Sequence, residues 1–387
     1  MQSRPHTQER IYTRARLVLR DEIVRGTLRV RQGRIVDLDP GDTPSRLPWA
    51  IDLEDDLLLP GLVELHTDNL ERHAMPRPRV RMPMWGAVQG HDAELAAAGI
   101  TTVFDAIGIG DPYGQGFRAQ HLGELLPVLD ALDAAGLLRV DHRIHARCEL
   151  PAPDARRLFE PFARHVRLGL ISLMDHTPGQ RQWADLVAAR HHYTGKKGWT
   201  DEQFDLEVRL APRRQAECVR PNRAWFSGFA REAGLVMASH DDTTEAHVEE
   251  ALAAGVRISE FPTTLAAARR ASAAGLLTLG GAPNVIRGLS HAGNVAVRAL
   301  ADEGVLGALS SDYVPGSLVQ AVWRLGRETP LGLAAAVRLA SLNPAEAVGL
   351  GDRGVIAPGR RADLVRVREV AGQPVVRAVW RGGQPIF

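Results

Sequence analysis

Apolar and polar positions alternate at both ends of this chain. In "ARLVLRDEIVRGTLRVRQGRIVDLDPG" (residues 15–41) the alternation has the period of half-buried strands and breaks at Gly26, Gly33 and Gly41. The tail "GVIAPGRRADLVRVREVAGQPVVRAVWRGGQPIF" (354–387) has the same texture and the same glycine-rich turns. The two ends are therefore expected to complete one small β domain, built from residues 1–56 and 352–387.

Between them the pattern changes to apolar runs followed by Ala- and Leu-rich helical stretches. Eight strand candidates stand at 57–66, 101–106, 140–150, 168–176, 234–242, 256–262, 275–284 and 306–313. Helical spacing separates most pairs, as in "AVQGHDAELAAAG", "TEAHVEEALAAG" and "TLAAARRASAAG", each closing on a glycine suited to a helix C-terminus. Eight strands alternating with helices fit an α/β fold of the TIM-like (β/α)8 barrel type over residues 57–351. An open doubly wound sheet is the competing architecture. The longest interruption, "TPGQRQWADLVAARHHYTGKKGWTDEQ", falls between the fourth and fifth strands, where an insertion would lie over the barrel mouth.

Composition narrows the function classes. The 387 residues carry 47 Lys and Arg against 46 Asp and Glu, so no overall field draws the chain to nucleic acid or to a membrane. An acidic ligand must be met by local basic groups. Only Cys148 and Cys218 are present, the N-terminus lacks an apolar signal core, and no window approaches a membrane span; these point to the cytoplasm.

Active sites of parallel barrels gather at the C-terminal strand ends. Here those ends carry His66 and Asp68, Asp105, Glu149, Asp175 and His176, His240 with Asp241 and Asp242, Glu260, and Asp312. Acids and imidazoles at one mouth are what one or two divalent cations require. Singly, each has a duller reading: Asp242 before "TTEAHVEEAL" can cap a helix, as can Thr243 or Thr244. The coincidence of so many favours a metal centre. Alternation also puts Glu64 on the face of His66 and Asp68 but deeper, as support for them.

The blocks "PGLVELHTDNLERH", "AAGITTVFDAIGIGD", "LMDHTPGQRQW", "ASHDDTTEAHVEEA", "SEFPTT", "GAPNVIRGLSHAGN" and "LSSDYVP", with the tail "LNPAEAVGLGDRGVIAPGRRADLV", resemble the amidohydrolase superfamily, and within it the phosphonate-utilisation branch. The resemblance spans about residues 10–385. It implies metal ligands at His66, Asp68, Glu149, His176, His240 and Asp312, with Glu149 bridging and Asp312 also accepting the proton of the attacking water. The superfamily's first-strand pair is His-x-His, so Asp68 replaces a nitrogen with a hard oxygen. Zinc is the first expectation, with manganese or iron more competitive than usual. The superfamily usually carries the two later histidines one strand further on than the fourth and fifth strands counted here, an offset assigned to a miscounted strand.

The implied reaction is hydrolysis of a small ribosyl triphosphate to the 5-phosphate and pyrophosphate. Lys196 in "YTGKKG", and Arg287 and His291 in "GAPNVIRGLSHAGN", are the expected phosphate contacts, the lysine on a segment able to fold over the mouth. "RHAMPRPRVRMP", with His73, Arg77, Arg79 and Arg81, reads either as a substrate loop or as solvated surface. Two other functions fit the same residues: hydrolysis of an amide or cyclic amide, and a catalytically inactive barrel acting as a binding subunit. A homo-oligomer is compatible with all three.

Overall fold

The computed structural model describes residues 9–41, 44–77, 80–112, 117–288 and 293–387, with backbone alone at 117–122, 196 and 197. The chain opens with β1 (Arg10–Val18), β2 (Ile23–Arg31), β3 (Arg34–Pro40), the two-residue β4 (Ile51–Asp52) and β5 (Leu57–Pro60). Eight parallel strands follow: β6 (Leu62–Thr67), β7 (Ile100–Ile109), β8 (Asp141–Glu149), β9 (Leu168–Met174), β10 (Val236–His240), β11 (Ile258–Glu260), β12 (Leu277–Gly281) and β13 (Ala308–Ser310). The chain ends in β14 (Leu364–Val370), β15 (Gln373–Arg381) and β16 (Gln384–Pro385).

The end strands form one sheet in the order β16-β15-β14-β5-β1-β2-β3, with β4 beside β1. This sheet curls back on itself. Tyr12 of β1 meets Trp380 of β15, three places along, with ring centroids 5.0 Å apart, and both are buried with Leu17, Leu28 and Leu364.

The apolar run at 57–66 is not one stave, as its pattern suggested. Leu57–Pro60 pairs with β14 and β1 in the terminal sheet, and only Leu62–Thr67 enters the barrel. Gly61 makes the switch possible. A Cβ there would sit 2.3 Å from Thr101 Oγ1 and 2.9 Å from the Asp363 side chain, so only glycine lets the backbone pass that close. Its N–H donates to the Asp363 carbonyl at 2.7 Å.

The barrel follows the sequence pattern closely, and all eight expected strands are present. The fourth and fifth are β9 and β10, so the offset of His176 and His240 belongs to this chain and is not a counting error. Val63, Leu65, Phe104, Leu170, Ala238, Ile258 and Leu279 fill the interior. The opposite faces of the strands pack on the surrounding helices, as Ile144, Ala146 and Cys148 do beside Leu129 and Phe159. The helices Met84–Ala97, Glu245–Ala254 and Leu265–Ala273 stand where the 3.6-residue period put them, followed by Gly99, Gly255 and Gly275 in the left-handed region. Among the described residues no helix is long and apolar enough to cross a membrane.

Asp105 departs from its expected place. It lies in mid-β7 and points outward, where Oδ1 bonds His91 Nε2 and Oδ2 bonds His142 Nδ1, both at 2.7 Å. All three are buried, and Asp92 lies 3.3 Å from the far nitrogen of His142. Burial works against charge on His142, but Asp105 and Asp92 outweigh it and push its pKa up to about 9.

Removing Asp105 leaves two buried imidazoles without their acceptor, so Asp105→Ala should cost about 3–5 kcal/mol in chemical denaturation. A raised imidazole pKa adds stability that is complete below its ordinary value and lost as pH rises through the folded one. Thermal stability should therefore decline between about pH 6.5 and 9, and His142→Asn should flatten that slope.

Candidate active site

A cavity of about 290 Å³ opens at the C-terminal ends of the barrel strands. His66, Asp68, Glu149, His176, His240 and Asp312 all line it, and so does Arg287. The first six come from β6, β8, β9, β10 and β13, or from the turns directly after them, and Arg287 ends the helix Ala282–Arg287 that follows β12. His291 lies outside the described residues. Lys196 has its backbone in the last turn of the helix Leu186–Lys197, which Gly198 ends in a left-handed cap, and its side chain is not described. The Gly-Lys stretch is thus a helix terminus and not a free loop. Arg77 and Arg81 do not line the cavity, and His73 is engaged with Glu94 at 2.7 Å.

The seam of the barrel lies inside this site. Thr67 bridges to Asp312, its Oγ1 donating to the Asp312 carbonyl at 2.7 Å, and the Asp68 N–H donates to the same oxygen at 3.1 Å. Beneath them Glu64 is fully buried. Its Oε1 accepts from the His66 N–H at 2.7 Å and its Oε2 from the Ser311 N–H at 2.6 Å, joining the first strand to the last. Burial pushes its carboxyl up to about 7, against these two donors.

On this frame sit polar atoms that have no partner among the described residues. His66 Nδ1, His145 Nε2, His240 Nε2 and both oxygens of Glu260 are buried without a hydrogen bond. His66 Nδ1 stands 3.3 Å from Glu260 Oε1, and His66, His240 and Glu260 each offer a ligand atom within a span of 4.8 Å. Unsatisfied buried donors and acceptors are expensive, and a cation among them removes that cost. The donor set therefore fits a divalent ion. Burial drives His66 well below its ordinary pKa, takes His145 down to about 3, and holds the Glu260 carboxyl well above the usual range.

Three imidazoles are oriented through Nδ1, which leaves Nε2 to face other groups. His145 Nδ1 donates to the Leu65 carbonyl at 2.9 Å, His240 Nδ1 pairs with Asp241 at 2.8 Å, and His176 Nδ1 pairs with Glu149 at 2.6 Å. Glu149 also accepts from the His176 N–H at 2.9 Å, so it aims that ring. His176, His240 and Asp241 make a second trio of converging ligand atoms, with His240 common to both.

The backbone at the mouth is held in an uncommon state. Asp241, Phe261 and Asp312 have φ of 56°, 52° and 55°, in the left-handed region where side chains cost energy. For Phe261 the strained turn lays the ring against His66 and His240, at centroid distances of 4.9 and 5.5 Å. Asp242 is no helix cap. It is buried and accepts from Arg181 at 2.9 Å and Ser259 at 3.1 Å, while Thr244 caps the following helix through the His247 N–H. The long insertion does reach the cavity: Gln182, Trp183, His192 and Tyr193 line it. Behind them runs Asp201–Ala233, opened by a Thr200–Gln203 capping box.

Comparison with known proteins places this arrangement. The model of the amidohydrolase family matches residues 57–386. The chain belongs to the amidohydrolase family. An alpha-D-ribose 1-methylphosphonate 5-triphosphate diphosphatase of Escherichia coli (strain K12) is 43% identical to this amidohydrolase over 379 residues, covering 97% of the chain and 100% of the relative. An adenine deaminase of Methylobacterium sp. (strain 4-46) matches 57 residues at 54% identity, 14% of this chain and 10% of that one. The solved N-isopropylammelide isopropylaminohydrolase from Burkholderia multivorans ATCC 17616 shares the fold at a TM-score of 0.64 and 15% identity, over 97% of each chain. The 5-methylcytosine deaminase from Klebsiella pneumoniae also reaches 0.64, at 17% identity over 98% of this chain and 97% of that one.

Glu260, Asp241, Arg147 and His145 were not among the residues singled out for the site of this amidohydrolase. Glu260 and Asp241 stood at counted strand ends, and Arg147 and His145 are found by the strand period, which puts 145, 147 and 149 on one face of β8. Glu64→Gln should lower stability by about 1–3 kcal/mol in denaturant unfolding, because an amide nitrogen would face one of two buried N–H groups. Metal affinity, read by competition with a chelator, should fall with it.

Proposed function

We propose that this amidohydrolase hydrolyses α-D-ribose 1-methylphosphonate 5-triphosphate to the 5-phosphate and pyrophosphate. It would do so with one or two divalent cations held among His66, Asp68, Glu149, His176, His240 and Asp312, zinc first, with manganese or iron in competition. The observation that carries the reading is the full-length relation to a diphosphatase, over 97% of one chain and 100% of the other. The unpartnered nitrogens of His66 and His240 support the cation, and Glu260 joins them as a further donor. Two unpaired cysteines, Cys148 and Cys218, support a reducing cytoplasm.

A divalent cation bound there supplies an acidified water and neutralises phosphoryl oxygens. The chain supplies the rest. Asp312 takes a proton from the water as its oxygen joins one phosphorus of the anhydride, and the bridging oxygen leaves with the bonding pair. Glu149 and Asp241 hold His176 and His240 in fixed orientations. Arg287 in the cavity wall, with Lys196 and His291 as the sequence leads us to expect, would meet the anionic ends of the substrate.

The test is turnover of the ribosyl triphosphate by metal-reconstituted protein beside a panel of amides and cyclic amides. Pyrophosphate release is expected, and turnover of amides alone would overturn the reading. Asp312→Asn should lower kcat about 10²–10⁴-fold with the melting temperature retained, since asparagine also tolerates the left-handed backbone at this position.

A further inference from the structure

Arg147 has no place in the chemistry described so far. On β8 it lies two residues before Glu149 on the same inward face, about 7 Å deeper along the strand. Only 16% of its side chain is exposed, and it lines the cavity. A guanidinium carries five N–H donors. Among the described residues, those of Arg147 find the thioether sulfur of Met174 at 3.4 Å and a carboxylate oxygen of Asp68 at 3.9 Å, beyond hydrogen-bond reach. The fold holds the charge in place by the nearby carboxylates of Asp68, Glu71, Asp312 and Glu260 without occupying the fork.

A part-buried guanidinium that lines a cavity with most of its donors unmet by the fold is set to receive an anionic acceptor there. The planar fork matches two oxygens of one phosphoryl group. A neutral amide carbonyl offers one acceptor and no charge, so it would leave the fork largely unmet. We propose that Arg147 grips non-bridging oxygens of a polyphosphate at the floor of the cavity and so selects phosphoric anhydrides over amides. This rests on the diphosphatase reading for its substrate class, but it is measured separately.

The probe is inorganic pyrophosphate, titrated calorimetrically into the metal-loaded full-length protein and its Arg147→Gln and Arg147→Lys variants, with metal content determined for each. Arg147→Gln should weaken pyrophosphate binding about 30- to 100-fold, and Arg147→Lys, which keeps the charge but not the fork, about tenfold, both at unchanged metal content. Binding within twofold of the parent protein in both variants overturns the proposal. So does weakening that only tracks metal loss, which would make Arg147 a charge-balancing residue. If the parent protein binds pyrophosphate through Arg147 yet leaves the ribosyl triphosphate intact, the proposed substrate fails and the anion grip stands.

Discussion

One carboxylate closes the barrel and builds the site at once. Glu64 accepts the His66 N–H from the first strand and the Ser311 N–H from the last, in a position without solvent. A seam between strands far apart in sequence is where a barrel is weakest, because its loop-closure entropy is large and its ladder short. Among the described residues the ladder here is the Thr67–Asp312 bridge alone, and Glu64 with the Thr67 hydroxyl reinforces it. Since His66, Asp68 and Asp312 hang from that seam, its closure fixes their mutual spacing.

From this seam the electrostatics follow. Imidazoles and carboxylates are concentrated in and beneath the cavity, and burial pushes them toward neutral forms: His145 and His66 down, Glu260 up. An environment that holds ligands without protons on their nitrogens suits a cation. The same pressure acts on the outer face of the barrel wall, yet Asp105 and His142 resolve it as a paired charge. Similar residues thus become a candidate metal centre or a strut, according to whether the strand turns them in or out.

The sequence made the barrel legible because its strands are apolar on both faces and its helices end on glycines. What could be read of the candidate site was its location, because the six expected ligands stand at or just after the strand ends, and all six line one cavity. Asp105 misled because β7 extends to Ile109, well past the apparent end of its apolar run. Arg147 was hidden inside a strand, where an arginine reads as noise until period two places it beside Glu149. The insertion announced itself by length, but nothing in its composition foretold the 33-residue helix with Pro212 and Pro221 inside it.

Gly61 carries a consequence for how the molecule is made. The four residues before it are sandwiched between β1 and β14, while those after it begin the barrel, so the terminal sheet stays incomplete until residues 364–370 have left the ribosome. Until then Leu57–Pro60 presents a bare apolar edge. Synthesis of nearly the whole polypeptide must precede the last pairing, which makes a nascent or truncated product a client for chaperones and a seed for misassembly.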